Sequence, residues 1–245
     1  MRTALLPFDD SELPERFRGR PQLDRARCIE GCRDCLSRMP TGVLKPGPDG
    51  TVRVDAGASQ FSPDESAACP SGALQFTRDY RMAARRREDL VSPDGAIAPA
   101  GAMDESMRRL FGRALRLRSV SAGSCGGCET ELTALGNVVF DLGRFGVQFV
   151  ASPRHADGIV ITGAVSANMR DALRATWEAT PEPRIVIAVG ACAIDGGPFR
   201  GSAQVGDGVP PDVPVDLWVP GCPPHPLTLM DGLLGLLGRI ERSKR

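Results

Sequence analysis

The chain changes character near residue 110. Beyond it, short apolar runs alternate with segments whose apolar residues recur at helical spacing. Leu117–Ser121, Val147–Ala151, Gly158–Thr162, Arg184–Val189 and Val215–Val219 read as strands. Between and after them, 129–140 carries Leu132, Leu135, Val138 and Val139, 168–179 repeats the pattern, and 226–240 carries Leu229, Leu233, Leu236, Leu237 and Ile240. That period predicts helices. Apolar strands alternating with amphipathic helices specify a parallel sheet covered on both faces. Residues 110–245 are therefore expected to form a doubly wound α/β domain.

The first part of the chain follows no such rhythm. Residues 20–80 are turn-rich, with Pro46-Gly-Pro-Asp-Gly and Cys69-Pro-Ser-Gly, and predict a small α+β domain over 1–80. Residues 81–109 hold Ser92-Pro-Asp-Gly and Ala98-Pro-Ala-Gly without apolar periodicity, which reads as a linker. The basic run Arg81-Met-Ala-Ala-Arg-Arg-Arg at its start suggests a solvated helix or a docking face. A nucleic-acid patch is disfavoured, because thirty Lys and Arg balance thirty Asp and Glu and a nucleic-acid binder is strongly basic.

Composition narrows the class further. With 245 residues, 42% hydrophobic and 24% charged, the chain can build a core without disulfides or metals as staples. No apolar run approaches the ~18 residues that cross a bilayer; Ile185–Ile194 ends at Asp195. Met1–Arg20 has acids and prolines where a signal peptide needs an apolar stretch. A cytoplasmic protein is expected, and its eight cysteines are then metal ligands or catalysts rather than disulfides.

Those cysteines fall into two quartets: Cys28, Cys32, Cys35 and Cys69, then Cys125, Cys128, Cys192 and Cys222. Four thiolates are what a four-iron four-sulfur cluster takes, so the grouping suggests two clusters. In the second quartet every cysteine lies just past a predicted strand, where open α/β sheets of the flavodoxin-like kind bind their ligands. Cysteines serving as core hydrophobes would lie within strands, whereas these interrupt glycine-rich loops that admit a bulky cofactor. Structural zinc is the rival, yet zinc bound by four cysteines is normally held by two CxxC knuckles, and within this quartet only Cys125 and Cys128 form such a pair.

Four segments in order carry a resemblance: Cys125-Gly-Gly-Cys128-Glu-Thr-Glu131-Leu, Ser152-Pro-Arg-His-Ala-Asp-Gly-Ile-Val-Ile-Thr-Gly-Ala-Val165, Ala188-Val-Gly-Ala-Cys192 and Val219-Pro-Gly-Cys-Pro-Pro-His-Pro226. Over about 115–240 the chain resembles the small subunit of membrane-bound, energy-converting nickel–iron hydrogenases of the formate-hydrogenlyase type. That family is homologous to the cluster-binding small subunit of respiratory complex I. The resemblance implies that Cys125, Cys128, Cys192 and Cys222 hold the 4Fe-4S cluster nearest the active site of a partner large subunit. Complex I subunits have adjacent cysteines where this chain has Cys125-Gly-Gly-Cys128, which favours the hydrogenase branch. Glu131 matches an acid of these families and is a candidate proton relay. Its alternative role, and the better one for Glu129, is to favour the positive end of a helix. His155 matches a loop near the cluster, Arg154 is expected to offset the cluster's charge, and His225 to stand behind the ligands or at the surface.

Cys28-x3-Cys32-x2-Cys35 with the remote Cys69-Pro70 resembles a ferredoxin-like unit holding one cluster. In bacterial ferredoxins a fourth cysteine followed by proline serves a second cluster; Met39-Pro40 stands at that position here. The triplet also resembles the radical-SAM signature, but that chemistry needs a large barrel and an open iron, whereas Cys69 supplies a fourth ligand. Zinc is a stronger rival at this site than at the other.

All eight thiols being assigned, no nickel ligands remain, and the chain carries no catalytic nucleophile. The resemblance thus implies an electron-transfer subunit of an oxidoreductase with two 4Fe-4S clusters. Its partners would be a nickel–iron large subunit, a ferredoxin or ferredoxin-like subunit, and membrane-arm subunits that hold it against the cytoplasmic face of the membrane. A complex I-like quinone oxidoreductase subunit and a zinc-stabilised interaction module are the alternatives.

Overall fold

The computed structural model describes residues 13–29, 33–39, 41–112 and 114–240. The N-terminal unit contains β1 (Pro21–Leu23), α1 (Asp34–Arg38), β2 (Leu44–Pro46), β3 (Val52–Asp55), α2 (Pro63–Ala67) and β4 (Leu74–Phe76). After it come β5 (Val91–Ser92) and α3 (Glu105–Phe111), and then β6 (Leu115–Ser121), α4 (Gly127–Ala134), β7 (Val147–Phe149), β8 (Gly158–Thr162), α5 (Ala167–Glu178), β9 (Ile185–Val189), α6 (Ala191–Asp195), β10 (Leu217–Val219) and α7 (Pro226–Leu236).

β10-β9-β8-β6-β7 form one parallel sheet of five strands. With β6 as its first strand, the order is that of flavodoxin-like sheets, and the switch point lies between β6 and β8. β8 and β9 are buried at every residue, because helices cover both faces. Val160, Ile185, Ile187 and Val189 pack towards α4 and α7 with Leu132, Leu135, Leu229 and Leu233. Ile159, Ile161 and Val186 pack on the other face against Leu173 of α5.

The helix over 226–240 is expected to be amphipathic, yet α7 is buried along its whole length. Its second face is covered by segments that carry no periodic signal. Ala83, Ala100 and Met103 join the same core, the Met103 amide donates to the Leu236 carbonyl at 2.9 Å, and Leu13 and Tyr80 close over Leu227. Gly232 lets this cover come close, since a Cβ there would lie 2.7 Å from the Ala83 Cβ.

Residues 81–109 join both units. Ala84 forms an antiparallel bridge with Trp218 at the edge of the large sheet. β5 pairs with β3, so that β2-β3-β5 make a second sheet beside the two-stranded β1-β4. The basic run forms no α-helix here: Ala84 makes that bridge, and Arg87 opens a single 3-10 turn that ends at Leu90. Met82, Ala83 and Ala84 are buried, Arg81 pairs with Asp79, Arg86 with Asp89, and Arg87 with Asp55.

Candidate metal centre

Three parallel strands of the sheet, β6, β9 and β10, end in loops that carry the second quartet. Two backbone hydrogen bonds zip the last two together, from the Gly190 amide to the Val219 carbonyl and from the Ala191 amide to the Gly221 carbonyl, both 2.9 Å. This sets Cys192, in the first turn of α6, beside Cys222. Cys125 and Cys128 bracket the start of α4. Gly127 lies between the Cys125 sulfur and the Pro223 ring, its ideal Cβ 3.6 and 3.7 Å from them, which joins the β6 loop to the residue after Cys222. Cys128 is buried, and Cys125 and Cys222 stand at the exposed rim.

Gly190 is the tightest point. Its φ is +89°, and a Cβ would fall 2.6 Å from the Cys128 sulfur. Only glycine meets both demands.

The sulfurs oppose one another's ionisation. Burial pushes the Cys128 thiol far up, and Cys192, Glu129, Cys222 and Cys125 add repulsion. Cys192 is pushed up to about 11, first by burial and then by Cys222 and Cys125. Cys222 is raised by burial, by Cys125 and by Glu65. Four thiolates cannot share this place without a multivalent cation whose binding displaces their protons. An all-sulfur donor set, a glycine cradle and unrelieved mutual repulsion fit a thiolate-bound iron–sulfur group. Among the described residues no three Cys, His, Asp or Glu side chains close on a single point as the ligands of one ion do.

The acid that structures this site is Glu129. Its Oε1 accepts hydroxyl hydrogen bonds from Ser124 and Thr162, each 2.5 Å, and ties α4 to the end of β8. Burial raises its pKa, but the Ser124, Thr162 and Ser121 hydroxyls outweigh that and hold it below the usual glutamate range. Its Oε2 is buried without a partner. Glu131, one step further along α4, is raised by burial alone. Sequence reasoning assigns Glu129 only a helix-end role and misses this one. The hydroxyl at Thr162, last residue of an otherwise apolar strand, was the available signal.

Arg154 and His155 lie in the turn before β8. Gly158, where β8 starts, is in register with Leu117, and Thr162, where it ends, with Ser121. The pair thus stands at the opposite end of β8 from the sulfur loops, about 16 Å away along a five-residue strand. That placement corrects the expectation of a loop beside the cluster. His225 caps α7: its Nδ1 accepts the Leu227 amide at 3.2 Å. The rings of Phe17 and Phe140 meet it edge-on at 5.3 and 6.2 Å, and burial lowers its pKa.

In the first quartet, Cys35 belongs to the core of the N-terminal unit with Leu23, Val43, Val54 and Leu74, and Cys28 and Cys69 pack against that core. Cys32 lies outside the described residues. Cys69 differs from the strand-end thiols. Burial raises its pKa, but the Ser71 hydroxyl and the backbone amides of Leu74, Ala73 and Ser71 prevail and lower it. Amides converging on one sulfur stabilise the thiolate and are the donors that tune a bound cluster.

Compared with known proteins, residues 125–236 match the family described as "NADH ubiquinone oxidoreductase, 20 Kd subunit". Formate hydrogenlyase subunit 7 of Escherichia coli is 40% identical over 153 residues, which cover 62% of this chain and 59% of that protein. The probable membrane-bound hydrogenase subunit mbhJ of Pyrococcus furiosus is 38% identical over 134 residues, covering 55% and 80%. An NADH-quinone oxidoreductase subunit of Desulfovibrio desulfuricans is 44% identical over 159 residues, covering 63% and 85%.

Proposed function

The chain belongs to the family of the NADH ubiquinone oxidoreductase 20 Kd subunit, and from that premise we propose that it is the iron–sulfur electron-transfer subunit of a multisubunit nickel–iron hydrogenase. The observation that carries this reading is the gathering of Cys125, Cys128, Cys192 and Cys222 just beyond the ends of parallel strands of one sheet, around the glycines at 127 and 190.

In this reading those four hold one 4Fe-4S cluster, and Cys28, Cys32, Cys35 and Cys69 hold a second. Each cluster, when bound, accepts and releases one electron. The residues around them do the rest. The glycine at 190 admits the strand-end cluster, Glu129 fixes the loop between its first two ligands, and the amides around Cys69 stabilise the N-terminal one. A large subunit carrying nickel and iron covers the exposed rim at Cys125 and Cys222. A ferredoxin or ferredoxin-like subunit exchanges electrons at the N-terminal unit. No helix among the described residues is long and apolar enough to cross a membrane, so attachment to the cytoplasmic face would come through membrane-arm subunits.

Iron and sulfide analysis of oxygen-free protein tests the core of the reading, with about eight of each expected per chain. Stoichiometric zinc in place of iron would overturn it. The 44% identity to an NADH-quinone oxidoreductase subunit favours a second reading, the same electron wire in a complex I-like quinone oxidoreductase. Hydrogen uptake or evolution by the purified complex separates the two.

A further inference from the structure

β6 is flanked by a strand on each side, yet it does not read like a buried strand of a parallel sheet. β8 and β9 are buried at every residue. β6 instead alternates Leu115-Arg116-Leu117-Arg118, and neither arginine is buried. That alternation belongs to a strand with one solvated face. Leu115 and Leu117 pack into the core with the leucines of α4 and α7. Arg116 and Arg118 therefore project from the opposite face. Further along the same face α5 supplies the cover, where Val120 joins Ile159, Ile161 and Leu173.

The connection from β7 to β8 leaves this face thinly covered. Parallel strands are ordinarily joined by a dozen or more residues that include a helix. Here residues 150–157 make the whole crossover, and its one ordered element is a 3-10 turn over Pro153–His155. Gln148, in register with Arg116, is exposed, and so are Arg116, Arg154 and His155. The acid at hand, Asp157, is already engaged: its Oδ2 accepts the Arg116 amide at 2.7 Å, and its Oδ1 lies 3.3 Å from the Arg116 guanidinium. Arg118 is in register with Ile159. Among the described residues neither Arg118 nor Arg154 has a hydrogen-bond or ion-pair partner. The face is cationic without countercharge, in a chain whose charges balance overall.

We propose that this face, in the half of the sheet remote from the sulfur loops, docks an acidic segment of a partner protein chain, whose carboxylates pair with Arg118 and Arg154. The segment covers the part of β6 and β7 that the short crossover leaves bare. A second copy of this chain does not fit, since self-complementary pairing would set arginines against arginines. Charge pairs of this kind fix the register and speed of an encounter more than its strength, so the surface orients a partner whose main contacts lie elsewhere. The proposal rests on the reading of the chain as one subunit of a larger assembly and is independent of what the cysteines bind.

The test uses the complex purified through a tag on the full-length chain, with Gln148 replaced by the photo-crosslinking residue benzoylphenylalanine. Crosslinks are expected on one segment of another subunit that carries Asp or Glu within a few residues. Links only to a second copy, only to lipid, or to a segment without acids would overturn the proposal. In Arg118→Glu the linked subunit should be held about tenfold more weakly, while Arg118→Lys, which keeps the charge, should retain it. Equal retention in Arg118→Glu would count as refutation. The free chain supplies the control: Arg118→Glu should melt near wild type, because no hydrogen bond or ion pair is lost there. A large fall in its melting temperature would assign Arg118 to the fold and overturn the docking role. A chain that purifies alone would overturn the subunit reading and this proposal with it, whereas a complex without links from this face would overturn the proposal alone.

Discussion

Arg87 grips Asp55 with both ends of its guanidinium, Nη1 to Oδ1 at 2.9 Å and Nη2 to Oδ2 at 2.7 Å, and the same Nη2 stands 3.4 Å from Asp195. Lys45 adds contacts of 2.6 Å to Asp55 and 3.6 Å to Asp195. Arg200 holds Asp195 at 2.9 Å and donates to the Thr41 carbonyl at 2.6 Å. The network binds the N-terminal unit, the connecting segment and α6 into one knot, three residues from Cys192. Breaking one side of a buried pair costs about 3–5 kcal/mol. Arg87→Met should therefore lower the unfolding free energy by about that much in denaturant titrations. Arg109→Met, which removes a partner of the exposed Glu105, should cost less than about 1 kcal/mol. Equal losses would mean that the knot is no stronger than a surface pair.

The knot also sets an acid limit. Burial raises the Asp55 pKa, but hydrogen bonds and charge from Arg87 and Lys45 prevail and hold it below 3.8. A carboxylate whose folded pKa is lowered contributes stability that is complete above its unfolded value and is lost as pH falls through the folded one. Thermal unfolding of the wild type should thus show a decline below about pH 4 that Asp55→Asn lacks. An identical acid profile for the two proteins would count against the assignment.

How far the sequence reaches differs from element to element. Gly158–Thr162 coincides with β8 because its buried apolar run stops at residues with loop chemistry, and the cysteines past β6, β9 and β10 were legible for the same reason. α7 read as amphipathic because its cover, Leu13, Tyr80, Ala83 and Met103, comes from stretches without periodicity. The knot could not be read either. Asp55 and Arg87 are 32 positions apart and Arg87 and Asp195 are 108 apart, and no local pattern links such pairs.

Gly190→Ala tests the cradle. The new Cβ would meet the Cys128 sulfur at 2.6 Å on a backbone held at φ +89°. The strand-end cluster should be lost while the N-terminal one remains, so that iron falls from about eight to about four per chain. Full iron content in this variant would show that the sulfur and glycine do not meet in the loaded protein.

His225 gives a second pH dependence of opposite chemistry. Neutral, its Nδ1 accepts the Leu227 amide and caps α7; protonated, it would lose that acceptor and place a cation at the positive helix end. Burial holds its folded pKa below 6.5. Its contribution is therefore complete above pH 6.5 and declines as pH falls from there towards the folded value. Asn is a good cap without a titrating ring. Between about pH 7.5 and 5.5, a range spanning the ordinary histidine value, the wild type should lose melting temperature that His225→Asn retains. Parallel curves would remove His225 as the cause.

Thr162 and Glu129 define the last expectation. The Thr162 hydroxyl has one proton and two acceptors, the Glu129 carboxylate at 2.5 Å and the Val120 carbonyl at 3.3 Å, and the shorter, charged contact takes it. Valine keeps the shape and removes the donor, leaving Ser124 as the remaining close hydroxyl on that oxygen. A hydrogen bond to a charged group contributes about 1.5–3 kcal/mol, and here it also fixes the loop that bears Cys125. Thr162→Val should lose that much stability and should release strand-end iron to a chelator faster than wild type. Thr162→Ser, which keeps the hydroxyl, should do neither. If serine and valine behave alike, the methyl packing of Thr162 rather than its bond to Glu129 is what holds the loop in place.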